Sequence, residues 1–162
     1  MIKTQKKSLK VGKYVNTEHV DTVIRTYKQE RWVHNSDRIG KEDSLSAWYS
    51  IEELESLIDT MKQHGADGMR IYFGVYPENF EEVPEYAGRQ TLVLVGTKRK
   101  LNAKGEGIDK DIYVQSESGN QILAYNLTRI CPPNCGGTKE DTDWDPLGIT
   151  IVDRKDKGLT VV

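Results

Sequence analysis

Residues 50–75 read SIEELESLIDTMKQHGADGMRIYFGV, and residues 91–97 read TLVLVGT. Ser50 and Glu53 have the spacing of a capping box, in which the hydroxyl accepts from the Glu53 amide and the carboxylate reaches back to the Ser50 amide. Ile51, Leu54, Leu57, Ile58 and Met61 then recur at helical spacing. The pattern predicts a helix from Ile51 to about His64, with Gly65 as its stop. After Gly68 the period changes to two: Met69, Ile71, Phe73 and Val75 alternate with Arg70, Tyr72, Gly74 and Tyr76. That is a strand with one face on a core. Thr91 to Val95 is apolar on both faces beyond Thr91, which predicts a central strand. Being consecutive, the strands of Tyr72 and Val93 are expected to pair antiparallel.

Outward from this block the signals are shorter. Leu45 to Tyr49, with Trp48 and Tyr49, predicts a strand. Asn16 or Thr17 caps a first helix with the stripe Val20, Val23, Ile24 and Tyr27, ending between Glu30 and His34. His34 to Ser44 and Lys98 to Lys110 read as loops. Asp111 to Gln115 and Gln121 to Leu127 read as strands around a Gly119-Asn120 turn, and Ile149 to Val152 as an edge strand. The connection Pro77 to Gln90 carries Glu78, Glu81, Glu82 and Glu85 and is expected to be mobile. The fold class is α+β, a mainly antiparallel sheet with two helices packed on one face. Residues 1–14 read as a flexible basic tail bearing Lys3, Lys6, Lys7, Lys10 and Lys13. Residues 15–162 read as one domain, with 136–162 a C-terminal extension.

The order of these pieces resembles a group of small uncharacterised bacterial proteins. In them a capped helix precedes a strand like Gly68-Met69-Arg70-Ile71-Tyr72-Phe73-Gly74. A strand like Thr91-Leu92-Val93-Leu94-Val95-Gly96 follows, and the block closes on a motif like Cys131-Pro132-Pro133-Asn134-Cys135. The resemblance covers a little over half of the chain. It implies no activity and no site residues, and it leaves 136–162 unexplained.

Composition narrows the function classes. The 162 residues carry a net charge of -2, with 30% charged and 36% hydrophobic residues. That balance gives no global attraction to nucleic acid or to acidic membranes. No apolar run approaches the ~20 residues of a membrane span, and no secretory leader is written, so a cytoplasmic location is expected. The two cysteines do not make a disulfide scaffold.

Three clusters are candidate sites. Arg70, Tyr72, Tyr76 and Arg89 read as a ligand face, an arginine and hydroxyl-bearing rings suited to an anion. The same pattern also describes an amphipathic sheet surface. Cys131 and Cys135 are spaced for half of a zinc site, for a disulfide, or for two free thiols in a structural turn. A zinc site needs completion by His19, His34 or His64. Asp141, Asp143 and Asp145 open like a calcium loop, but Pro146 stands at its glycine position and Val152 at its twelfth. A solvated acidic turn anchored by Trp144 is the alternative.

No cofactor is predicted, zinc and calcium being the metals those clusters would take. The leading reading is a non-catalytic cytoplasmic module binding a protein or small molecule, with no specific nucleic acid and no membrane as partner. A metal-binding protein using Cys131/Cys135 or the aspartate run is the alternative, and an enzyme the third.

Overall fold

The computed structural model describes residues 9–135 and the strands Ile151–Asp153 and Leu159–Val161. In chain order the elements are α1 (Thr17–Tyr27), a π-helical segment (Lys28–Trp32), α2 (Val33–Ile39), β1 (Ser46–Trp48), α3 (Ile51–Gln63), β2 (Gly68–Val75), a 3-10 turn (Pro84–Tyr86), β3 (Gln90–Leu101), β4 (Gly107–Asp111), β5 (Tyr113–Ser116), β6 (Gly119–Ile122), β7 (Ala124–Tyr125), β8 (Arg129–Cys131), β9 (Ile151–Asp153) and β10 (Leu159–Val161). All strand pairs are antiparallel. The fold is α+β.

Both long helical stretches begin at a side-chain cap. Asn16 accepts from the His19 N–H at 2.9 Å, and Ser50 accepts from the Glu53 N–H at 3.1 Å. The capping box closes only on that side, because Glu53 Oε1 instead accepts from the Tyr125 hydroxyl at 2.6 Å. The first helix runs past His34 to Ile39 and stops at Gly40, whose φ of 69° needs no Cβ. The π segment adds residues per turn and rotates the stripe. Trp32, which lies off the simple apolar stripe, donates through Nε1 to the Asp43 carbonyl at 2.7 Å.

β2 pairs with β3 with Tyr72 opposite Val93. β3 continues through Leu101 and turns back into β4, so most of the expected 98–110 loop is a hairpin. Its turn is closed by Asn102, whose Oδ1 accepts from the N–H groups of Lys104 and Glu106, both at 2.9 Å. β7 joins β3 at Leu94 and Val95. The β5–β6 hairpin pairs Ser116 with Gly119, which moves the turn to Glu117-Ser118. β1 pairs with β8 and β9 with β10, the latter against α1. The expected edge strand, Ile149 to Val152, meets β9 at Ile151 and Val152, and residues 149 and 150 lie outside the described residues.

Two buried clusters hold these layers together. Leu57 and Met61 of α3 lie on Leu94, flanked by Tyr49, Leu54, Met69, Leu92 and Leu123. A Cβ on Gly96 would stand 3.0 Å from Leu123 and 3.4 Å from Met61, so the helix approaches β3 where the strand has no side chain. The second cluster joins Tyr76, Tyr86 and Ile130, with Ala47, Phe80 and Val83 around it. It corrects the expectation of a mobile 77–90 connection. Tyr86 is buried, Tyr76 stacks on Phe80 at 4.5 Å, and the Tyr76 N–H donates to the Arg89 carbonyl at 3.0 Å.

The alternating face of β2 is only partly covered. Met69 packs on the α3 cluster, whereas Ile71, Val75 and, at 82%, Phe73 are exposed. The helix is centred over Leu94 on β3, and β2 lies at the sheet's edge. Among the described residues, nothing buries the outer half of the apolar stripe.

Candidate functional site

The four residues expected to form a ligand face are separated by the structure. Arg70 and Tyr72 stand together on one face of β2. Tyr76 turns into the second core and receives a hydrogen bond from the Thr91 hydroxyl at 3.2 Å. Arg89 is also buried. Its Nε donates to the Glu85 carbonyl at 2.9 Å and its Nη1 to the Glu42 carbonyl. Burial pushes its pKa down, and the carboxylates of Asp43, Glu42 and Glu85 oppose that shift. Arg89 is a structural clasp, and its partners Glu42 and Asp43 lie too far upstream in sequence for a local pattern to reveal.

Arg70 is satisfied from within the protein. It pairs with Asp111 Oδ1, donates to the Asp109 carbonyl at 2.6 Å and reaches the Tyr72 hydroxyl at 3.2 Å. Tyr72 in turn donates to Asp111 Oδ2 at 2.6 Å. The Tyr72 hydrogen bond and then the Asp111 carboxylate raise the Arg70 pKa. An incoming anion would have to displace a carboxylate already in place. Arg70 and Tyr72 therefore brace β2 across β3 to β4.

What this bracing leaves open is the backbone edge of β2. The strand order is β2-β3-β4, with β7 also on β3, so β2 has one partner among the described residues. Along its eight residues, alternate positions turn their N–H and C=O groups outward. Natural edges are usually blunted by lysine, proline, a bulge or a covering segment. β2 contains neither lysine nor proline, and its pairing with β3 runs without interruption from Gly68–Thr97 to Val75–Gln90. Its single charge is the neutralised Arg70.

The cysteines occupy the end of the β1–β8 ribbon. Cys131 and Cys135 are joined by a disulfide with S–S 2.00 Å. Sulfurs in that bond have no thiolate to give a metal, so in this oxidised form the pair is not half of a zinc site. Asp141, Asp143, Asp145 and Trp144 lie outside the described residues. Among the described residues no group of three histidine, cysteine or acidic side chains is placed to hold a metal, and no helix is long and apolar enough to cross a membrane.

No family model matches the chain, and no solved structure matches it. It is similar to a protein pelota homolog of Halorubrum lacusprofundi, with 25% identity over 114 residues. The match takes in 67% of this chain and 32% of that protein. The chain thus spans about a third of the length of the curated relative it matches.

Proposed function

We propose that this chain is a non-catalytic protein-interaction module that docks by strand addition at the free edge of β2. The observation that carries the reading is an eight-residue edge that no described strand pairs with and whose side chains Ile71, Phe73 and Val75 are exposed. Strand addition draws affinity from main-chain hydrogen bonds and specificity from alternate side chains. Exposed apolar residues at alternate positions suit an extended, apolar incoming strand.

The occupant is a second copy of this chain, through its residues 9–15. That segment belongs to no helix or strand, and its Leu9, Val11, Tyr14 and Val15 are exposed, Val11 at 89%. Leu9, Val11 and Val15 fall at odd positions and share one side of an extended strand with Lys13. Its only charges are Lys10 and Lys13, which meet no cation on Ile71 to Val75. Reciprocal exchange would give a closed two-fold dimer.

Sedimentation equilibrium tests the reading on three proteins: the parent, Phe73→Lys, and the chain without residues 1–15. The expected result is a dimer for the parent and monomers for both variants, with circular dichroism showing that Phe73→Lys stays folded and its thermal midpoint lowered by no more than the lost association accounts for. A monomeric parent, or a dimer that survives Phe73→Lys, rejects the edge as the docking surface. A dimer that survives only the truncation rejects residues 9–15 as the added strand. We place the module in the bacterial cytoplasm, on the resemblance of the 45–135 block. Disulfides are uncommon there, so a count of free thiols in protein from rapidly quenched cells tests the location.

A further inference from the structure

On the β3–β4 hairpin, the two faces treat charge in opposite ways. On one face Arg99 stands opposite Asp109 and pairs with it at 3.2 Å. On the other, Lys98 stands directly opposite Lys110, and Lys100 follows two residues along on the same side. Like charges directly opposite one another destabilise a strand pair. Lys98 is partly offset by Asp67 at 3.3 Å. Lys100 and Lys110 make no ion pair among the described residues.

These three lysines line an open depression of about 460 Å³, walled by His64 and Gly65 at the end of α3 and by Ile112 and Tyr113 at the start of β5. Asp111 also borders it, but its carboxylate is engaged by Arg70 and Tyr72. A simpler role for the lysines would be to offset the negative end of α3. The terminal carbonyls are already bonded, however. Thr60, Met61 and Lys62 accept from the N–H groups of His64, Ala66 and Gly65 at 3.3, 3.0 and 2.9 Å. The Thr60 carbonyl also lies 2.9 Å from His64 Nδ1. Beside the lysines Tyr113 is 62% exposed, so three lysines and an exposed aromatic residue line one concavity.

We infer that this depression binds a nucleotide, its phosphate on Lys98, Lys100 and Lys110 and its base stacked on Tyr113. Lysine ammoniums over a backbone and an aromatic platform for the base are the two parts of a sequence-tolerant single-strand site. A lone nucleotide offers the same phosphate and the same π-face, so the chemistry is common to a free nucleotide and to a unit of a single strand. Stacking and phosphate contacts are sequence-tolerant, so no sequence preference is expected. The site lies on the β3–β4 hairpin, away from the free edge of β2, and stands independently of the docking reading.

The test uses the full chain and fluorescence anisotropy with three probes: ATP carrying a fluorophore, a labelled twelve-residue oligothymidylate, and labelled heparin as a polyanion without bases. Four proteins are compared: the parent, Lys100→Glu/Lys110→Glu, Tyr113→Ala and the remote control Lys41→Glu. Circular dichroism and the thermal midpoint confirm that each is folded. Binding of ATP or the oligonucleotide by the parent and the control is expected. The double charge reversal should weaken it at least roughly tenfold and flatten its salt dependence. Tyr113→Ala should weaken it by about fivefold to a hundredfold, the range for loss of one stacked base, while leaving heparin unaffected. ATP binding without the oligonucleotide assigns the site to free nucleotides, and the reverse assigns it to single strands. The inference is overturned if neither probe binds at physiological salt, or if Tyr113→Ala changes nothing and heparin competes equally.

Discussion

At the scale of single residues, the same side chain served different ends from those its neighbours suggested. Arg70 and Arg89 both lie near tyrosines in sequence, which is why they read together as a clamp. The structure engages Arg70 with Asp111 and Asp109 and Arg89 with the distant Glu42 as well as the nearby Glu85. No local pattern encodes the distant partners. Cys131 and Cys135 were legible as a short stiff pair with three open outcomes, and oxidation to a disulfide is the one realised. The closed loop is small, so the chain-entropy contribution of the bridge is about 2 kcal/mol. The double substitution Cys131→Ser/Cys135→Ser should therefore fold, with an unfolding free energy from urea titration lowered by roughly that amount. Loss of the folded state altogether would show that the bridge defines the β1–β8 ribbon rather than trimming its unfolded ensemble.

At the scale of elements, α3 was the most legible part of the chain because every signal for it is local. The Ser50 cap, the stripe and the Gly65 stop all lie within one helix length, and the helix spans Ile51–Gln63 with its cap hydrogen bond in place. β2 shows the limit of such signals. Period two establishes a strand, but whether an alternating face is covered depends on which distant element lies over it. The helix reaches Met69 and leaves Phe73 bare. Within α3 itself the stripe is also graded. Leu57 is buried on Leu94, while Ile58, equally apolar, is 40% exposed. Leu57→Ala should cost roughly 2–5 kcal/mol, as buried leucine truncations do. Ile58→Ala should stay within about 1 kcal/mol of the parent. Equal costs in guanidinium titrations would mean that the helix is rotated about its axis from the position described.

At the scale of the whole molecule, the joint between the first helical stretch and the sheet rests on Asp43, a buried carboxylate with no signature in the sequence. Its Oδ1 accepts from the N–H groups of Ser44 and Gln90 at 2.8 and 2.7 Å, and its Oδ2 from Asn35 Nδ2 at 3.2 Å. Its own N–H donates to Ser36 Oγ at 2.9 Å, and its carbonyl takes the Trp32 indole. Nearby, Tyr27 donates to Gln90 Oε1 at 2.6 Å, and burial, then the Asp43 charge, raise its pKa above the usual tyrosine value. Because the folded-state pKa is the higher one, this tyrosine's contribution is complete below about pH 10 and fades as pH climbs past it. The segment read as a polar loop is thus the polar hinge pin of the domain. Apolar periodicity missed it because the joint is made of hydrogen bonds between segments far apart in sequence. Asp43→Ala leaves the Ser44 and Gln90 amides without their acceptor, a penalty of at least about 2 kcal/mol. Its hydrogen-bond partners are all outside the Leu57–Met61–Leu94 cluster. Amide exchange on that variant should accelerate in α1 and α2 by a larger factor than in α3 and β3. Equal acceleration in all four elements would show that the two layers open only as a single cooperative unit.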